Sequence, residues 1–231
     1  MTLESFTTPS PYRTAGRAAI ASGLIGIIAF ACLFMAVSTR TTMILPQSVY
    51  LLFRAHDIGI ILQFTLMILV VLAIHQLSLE RAPGLSFSSL AIGVGAPTLI
   101  VIILLLVFPK LMPDDYYLVP EGLFGIWLII ANWRIKRIFS AGLCWFGVFV
   151  GIGLTLVGCF PLAYAIFVTP TIFHIPPVEQ TTYIDTVANN LLHLMLDIGT
   201  LMGVLTLPIW TILTGRKLLK YNHETINSPR L

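Results

Sequence analysis

The residues able to do chemistry are few and gather in three places: Arg54, His56 and Asp57; Glu121; and Asn189, His193 and Asp197. Imidazole nitrogen and carboxylate oxygen are ligands of zinc-type ions, so His56, Asp57, His193 and Asp197 are candidate metal ligands. A carboxyl in an apolar pocket can serve as a general acid, which makes Asp57, Glu121 and Asp197 candidate catalytic groups. All seven residues together can also bind a polar head group or a small solute. Phe53, Tyr117 and Trp127 add aromatic faces suited to a cationic intermediate. The competing reading is structural: Arg54 pairs with Asp197 or Glu121, His193 bonds a backbone carbonyl, and the groups simply hold helices together. Two aspartates, one glutamate and two histidines exceed what one arginine needs, and that surplus is the argument for a site. The pattern singles out no cofactor.

Other residues carry less. His75 and Gln76 read as interfacial, while His174 falls in a proline-rich stretch and His223 in a basic tail. Cys32, Cys144 and Cys159 lie in apolar stretches with no metal-ligand spacing, and read as small packing residues. No glycine-rich phosphate loop or nucleophile elbow is present. No lysine lies inside an apolar stretch, which excludes a retinal-type Schiff base.

The elements that must position these groups are membrane spans. The 231-residue chain is 57% hydrophobic and 10% charged, with a mean hydropathy of +0.94; soluble domains average about 25% charged residues. Crossing the hydrocarbon takes about 20 apolar residues in a helix. Six stretches qualify, at about 17–37, 48–77, 87–108, 116–133, 139–168 and 186–213. Together they predict an all-α bundle with no room for a separate soluble domain. The first stretch is longer than the apolar region of a secretory signal, so a retained helix is expected, and Gly16, Ser22, Gly23 and Gly26 within it suit close packing. Pro97 and Pro161 predict kinks inside the third and fifth spans. The fourth is the shortest, with Tyr116, Tyr117 and Trp133 as interfacial anchors.

The positive charges alternate between the two sides. Arg13, Arg17, Arg81, Arg134, Lys136, Arg137, Arg216, Lys217, Lys220 and Arg230 fall on the side of the termini, and only Arg40, Arg54 and Lys110 on the other. Basic connections resist translocation, so both termini are expected in the cytoplasm and the segment 169–186 outside, in a multi-pass protein of the cytoplasmic membrane. A net charge of +3 spread along loop ends is not a nucleic-acid signature. The expected partners are membrane lipid and a small or lipid-like ligand. Counted along their helices, Asp57 and Asp197 come to similar depth in the outer half, and Asn189, His193 and Asp197 recur at every fourth position. The expected pocket therefore opens outward between spans two, four and six, with Asp57 and Asp197 sharing it. Asp57-Ile58-Gly59 is echoed by Asp197-Ile198-Gly199, a three-residue match that chance accounts for in so Ile- and Gly-rich a chain.

The stretch EGLFGIWLIIANWRIKRIFSAGLCWFGVFVGIG, from Glu121 through Trp127, Arg134 and Arg137 to Gly153, resembles the fourth-to-fifth span junction of a bacterial six-span family that is known only as a domain of unknown function. Phe53-Arg54 and the closing run from Trp210 to Gly215-Arg216-Lys217 resemble it too. The resemblance implies a bacterial six-helix membrane protein and carries no activity or site residue. The functional expectation is a protein that binds or passes a small or lipid-like molecule. A membrane-embedded enzyme using Asp57, Asp197 or Glu121, or a structural subunit of a membrane complex, is the alternative.

Overall fold

The computed structural model describes residues 11–40, 46–81, 85–173 and 186–227. Backbone N–H and C=O groups find no water in a bilayer, so each apolar stretch must satisfy them internally, and the result is helix throughout. The helices are α1 (Pro11–Arg40), α2 (Pro46–Arg81), α3 (Phe87–Val107), α4 (Leu118–Ile135), α5 (Ala141–Phe167), α6 (Val187–Gly199) and α7 (Leu207–Asn227). Short 3₁₀ turns, Asp114–Tyr117 and Pro170–Phe173, precede α4 and follow α5. Six helices are long and apolar enough to cross a membrane, as expected, and no strand occurs among the described residues.

The boundaries shift from those expected. The first two spans are longer at both ends, α3 matches almost residue for residue, and α4 starts two residues late because the 3₁₀ turn takes up Tyr116 and Tyr117. The largest departure is the sixth span. It runs from Val187 to Tyr221 and is broken by a π-helical turn at Thr200–Val204, with Pro208 one turn further on. Pro97 and Pro161 lie inside continuous α3 and α5. Expectations for His174, and for the rest of the outer connection from 174 to 185, lie outside the described residues.

Consecutive helices pack as neighbours from α1 to α5, and the sixth span closes the bundle in two halves. Its α6 half leans on α5, and its α7 half packs along α1. Small residues make these contacts close. A Cβ on Gly122 would lie 2.7 Å from Gly158 Cα, and one on Gly125 would lie 2.6 Å from the Gly151 carbonyl oxygen. The small residues of α1 act as expected: Gly23 faces the Pro208 carbonyl, and the buried Ser22 donates to the Gln63 carbonyl oxygen at 3.1 Å. Lipid supplies no hydrophobic force between helices, so such backbone approach and van der Waals packing must hold them. The interior is filled by Phe64, Met67 and Ile74 of α2, Ile100 of α3, Phe124 and Trp127 of α4, and Trp210 of α7. Trp133 and Trp145 stand exposed at the basic end, edge to face at 5.8 Å, with the Lys136 ammonium 4.4 Å over the Trp133 ring. That is the aromatic belt of a water interface.

Candidate functional site

At the head of α2 the polar groups are consumed by packing. Arg54 Nη1 is 3.7 Å from Asp57 Oδ2, its Nε donates to the Tyr50 hydroxyl at 2.9 Å, and its Nη2 donates to the Phe108 carbonyl at 3.4 Å. The guanidinium also lies 5.0 Å from the Tyr50 ring centroid and 4.6 Å from that of Phe108. It therefore fastens α2 to the end of α3. His56 is buried, and its Nδ1 donates to the Ala29 carbonyl at 3.0 Å, fastening α2 to α1. The histidine that bonds a backbone carbonyl is thus His56 rather than His193.

These contacts rank two substitutions. The half-buried ion pair is loose and contributes under about 1 kcal/mol. The cation–π and carbonyl contacts of Arg54 contribute about 1–2 kcal/mol more. Arg54→Ala will therefore lower the melting temperature in detergent clearly more than Arg54→Lys, which keeps a cation between Asp57 and the Phe108 ring. Equal losses would mean that a cation over the Phe108 ring does not hold the two helices.

Glu121 is placed differently. It lies in the first turn of α4, 4% exposed, and its carboxyl makes no hydrogen bond or ion pair to a described residue. Gly122 and Gly125 turn one side of α4 to α5, and the ring of Trp127 covers Gly93 of α3. Phe124 meets Phe64 of α2 edge to face at 5.6 Å and stacks on Trp127 at 5.4 Å. Glu121 shares its inward face with Phe124 and Leu128, three and seven positions on, so it points into the bundle. An ionisable group at such depth costs several kcal/mol unless something partners it.

The stripe expected on α6 rotates out of the bundle. Positions four apart on a helix differ by about 40°, so eight residues sweep about 80°. Asn189 is buried, with its N–H on the Thr186 Oγ1 at 3.2 Å and its Oδ1 unbonded among the described residues. His193 is exposed and rests its ring on α5, 5.5 Å from Phe160 and 6.2 Å from Tyr164. Asp197 is exposed.

Helix α5 serves as a depth scale for both neighbours. Gly122 touches Gly158, which sets Glu121 one residue, about 1.5 Å of helical rise, beyond that level, and His193 touches Phe160 and Tyr164. Gly199 meets Gly153 and Val157, near the middle of α5, so Asp197 lies about 3 Å along the helix from that level. Glu121, His193 and Asp197 thus lie in the half of the bundle away from the basic end. They do not share one surface, because α5 stands between α4 and α6. Nor are Asp57 and Asp197 brought together: α2 packs on α1 and α3, whereas α6 packs on α5. No group of three or more His, Cys, Asp or Glu gathers among the described residues, so His56, Asp57, His193 and Asp197 do not form a joint ligand set there.

One feature escaped the sequence. A cavity of about 590 Å³ lies at the basic end, between the start of α5 and the middle of α7, lined by Ser140, Gly142, Leu143, Phe146, Leu213, Arg216, Lys217 and Lys220. In the sequence its cations register only as a sidedness signal. The spacing of Leu213, Arg216, Lys217 and Lys220, which places all four on one helical face, was the available clue. No family model, curated protein or solved structure matches the chain.

Proposed function

We propose that this integral membrane protein binds or passes a small or lipid-like molecule through polar groups in the membrane half opposite its basic end, which faces the cytoplasm of a bacterial cell. The observation that carries the reading is Glu121: a carboxyl buried in the bundle without a described partner. An ionisable residue within an apolar span is rare and costly, and it is a functional-site signal by default. The unbonded Oδ1 of Asn189 adds an acceptor in the same half. The polar groups at the head of α2 contribute shape rather than binding, since their partners are within the protein.

Mass spectrometry of small molecules and lipids carried by the purified protein tests this. One species should be enriched on the wild-type chain and lost from Glu121→Gln at unchanged fold. If Glu121→Gln retains every enriched species and only shifts the melting temperature, the carboxyl is structural and the reading is lost.

A second reading, as a subunit of a membrane complex, draws on Asp197. An exposed carboxyl close to the middle of an apolar span faces hydrocarbon unless another chain covers it. A larger native mass that collapses on Asp197→Leu would favour that reading.

A further inference from the structure

The cavity at the basic end has the polarity profile of a phospholipid. Helix α7 runs toward that end and α5 starts from it, so the cavity's deep part is Phe146 beside Leu213 and its outer part is Ser140 beside Lys220. Apolar lining therefore lies toward the membrane centre, and cationic lining toward water. Arg216 and Lys217 bring two positive charges, Lys220 lies at the outer edge, and no carboxylate is among the described lining residues. The depth agrees: exposed Trp145 lies on the same turn of α5 as Leu143 and Phe146, and with Trp133 and Lys136 it marks the interface. The space lies within the size range of small-molecule sites. A loose ion would leave its apolar half unused.

We infer that this cavity binds one anionic phospholipid, with the phosphate held by Arg216 and Lys217 and the first carbons of the acyl chains lying against Leu143, Phe146 and Leu213. The Arg guanidinium offers a fork of donors to phosphate oxygens, and the Lys ammonium a mobile point charge. The first turn of α5, whose N-cap Ser140 makes no side-chain capping bond, lends Gly142 and Leu143 to the lining, and a helix N-terminus favours the same sign of charge. The inference is independent of the site in the opposite half of the membrane. It rests on the cavity and its cations alone.

Native mass spectrometry of the full chain in detergent, titrated with dioleoyl phosphatidylglycerol, dioleoyl phosphatidylcholine or inorganic phosphate, tests it. One phosphatidylglycerol should stay bound at concentrations where phosphatidylcholine does not, and millimolar phosphate should not displace it. Replacing both cations (Arg216→Gln with Lys217→Gln) should weaken that binding about thirtyfold. Leu213→Trp, which fills the deep end and keeps every charge, should weaken it as well. The control is Arg134→Gln with Arg137→Gln, which removes the same charge from the same membrane face outside the cavity and should leave binding within about twofold. A control that loses as much as the cavity variant would reduce the effect to general surface charge. Equal retention of phosphatidylcholine, displacement by phosphate, or indifference to Leu213→Trp would each overturn the lipid site.

Discussion

Replacing Gly153 by leucine will leave little stably folded protein. A Cβ at this position would lie 2.2 Å from Gly203 N, 2.6 Å from Met202 C and 2.7 Å from Gly203 Cα. All three are backbone atoms, so no side-chain rotation relieves the clash, and α5 must part from the π-helical turn. Overpacking typically costs 1–3 kcal/mol where side chains can yield, and more where only backbone can move. A loss of about 4 kcal/mol corresponds to a melting temperature lower by roughly 10 °C for a chain of this size. The consequence extends beyond one contact. The π turn is where the sixth span passes from its seat on α5 to its seat on α1, so prying it loose opens the ring of helices. Gly95→Leu is the matched control, since a Cβ there meets nothing within 4 Å. Thermal melts of both variants in the same detergent decide the matter: similar melts would mean that α5 and the π turn do not touch as described.

Glu121→Leu should do the opposite, raising stability while abolishing ligand binding. Exchanging an unpartnered buried carboxyl for an apolar side chain of similar size removes a desolvation cost without opening a cavity. A buried polar group left without a partner costs about 1–3 kcal/mol, so its removal should raise the melting temperature by roughly 3–9 °C at this chain length. Proteins keep a destabilising group where function requires it, so a gain in stability with a loss of the bound species is the signature of a site. Glu121→Gln, which keeps the shape and some hydrogen bonding, should fall between the two. A drop in the melting temperature of the leucine variant would show that the carboxyl holds the bundle together.

The two predictions bear on opposite sides of α4 and α5, and together they separate packing from binding. Gly122 and Gly158 bring those helices into contact immediately beside Glu121, so the acid cannot swing toward α5 to find a partner. The close fit that makes glycine necessary on one face isolates the carboxyl on the next.

How many helices are long and apolar enough to cross a membrane, roughly where each lies, and which end of its helix each polar group is near could all be read in the sequence. These are local properties. An apolar stretch has a fixed rise per residue, and counting from its ends gives position along the helix, which is why Glu121, His193 and Asp197 come out in one half of the bundle. Neighbourhood could not be read this way. Hydropathy says nothing about which helix touches which, because lipid is as apolar as any helix face, and association depends on small residues and shape. The expected meeting of Asp57 with Asp197 failed for that reason: Gly153, Gly199 and Gly203 commit the sixth span to α5, and Arg54 finds the end of α3 instead. The rotation of the α6 stripe from buried Asn189 to exposed Asp197 is a further tertiary decision, since every-fourth spacing drifts around a helix and only the packed neighbour determines which end of the stripe is inside. The cavity at the basic end belongs to the same class. Its cations were visible as charges, but only the folded pairing of α5 with α7 encloses them over an apolar floor.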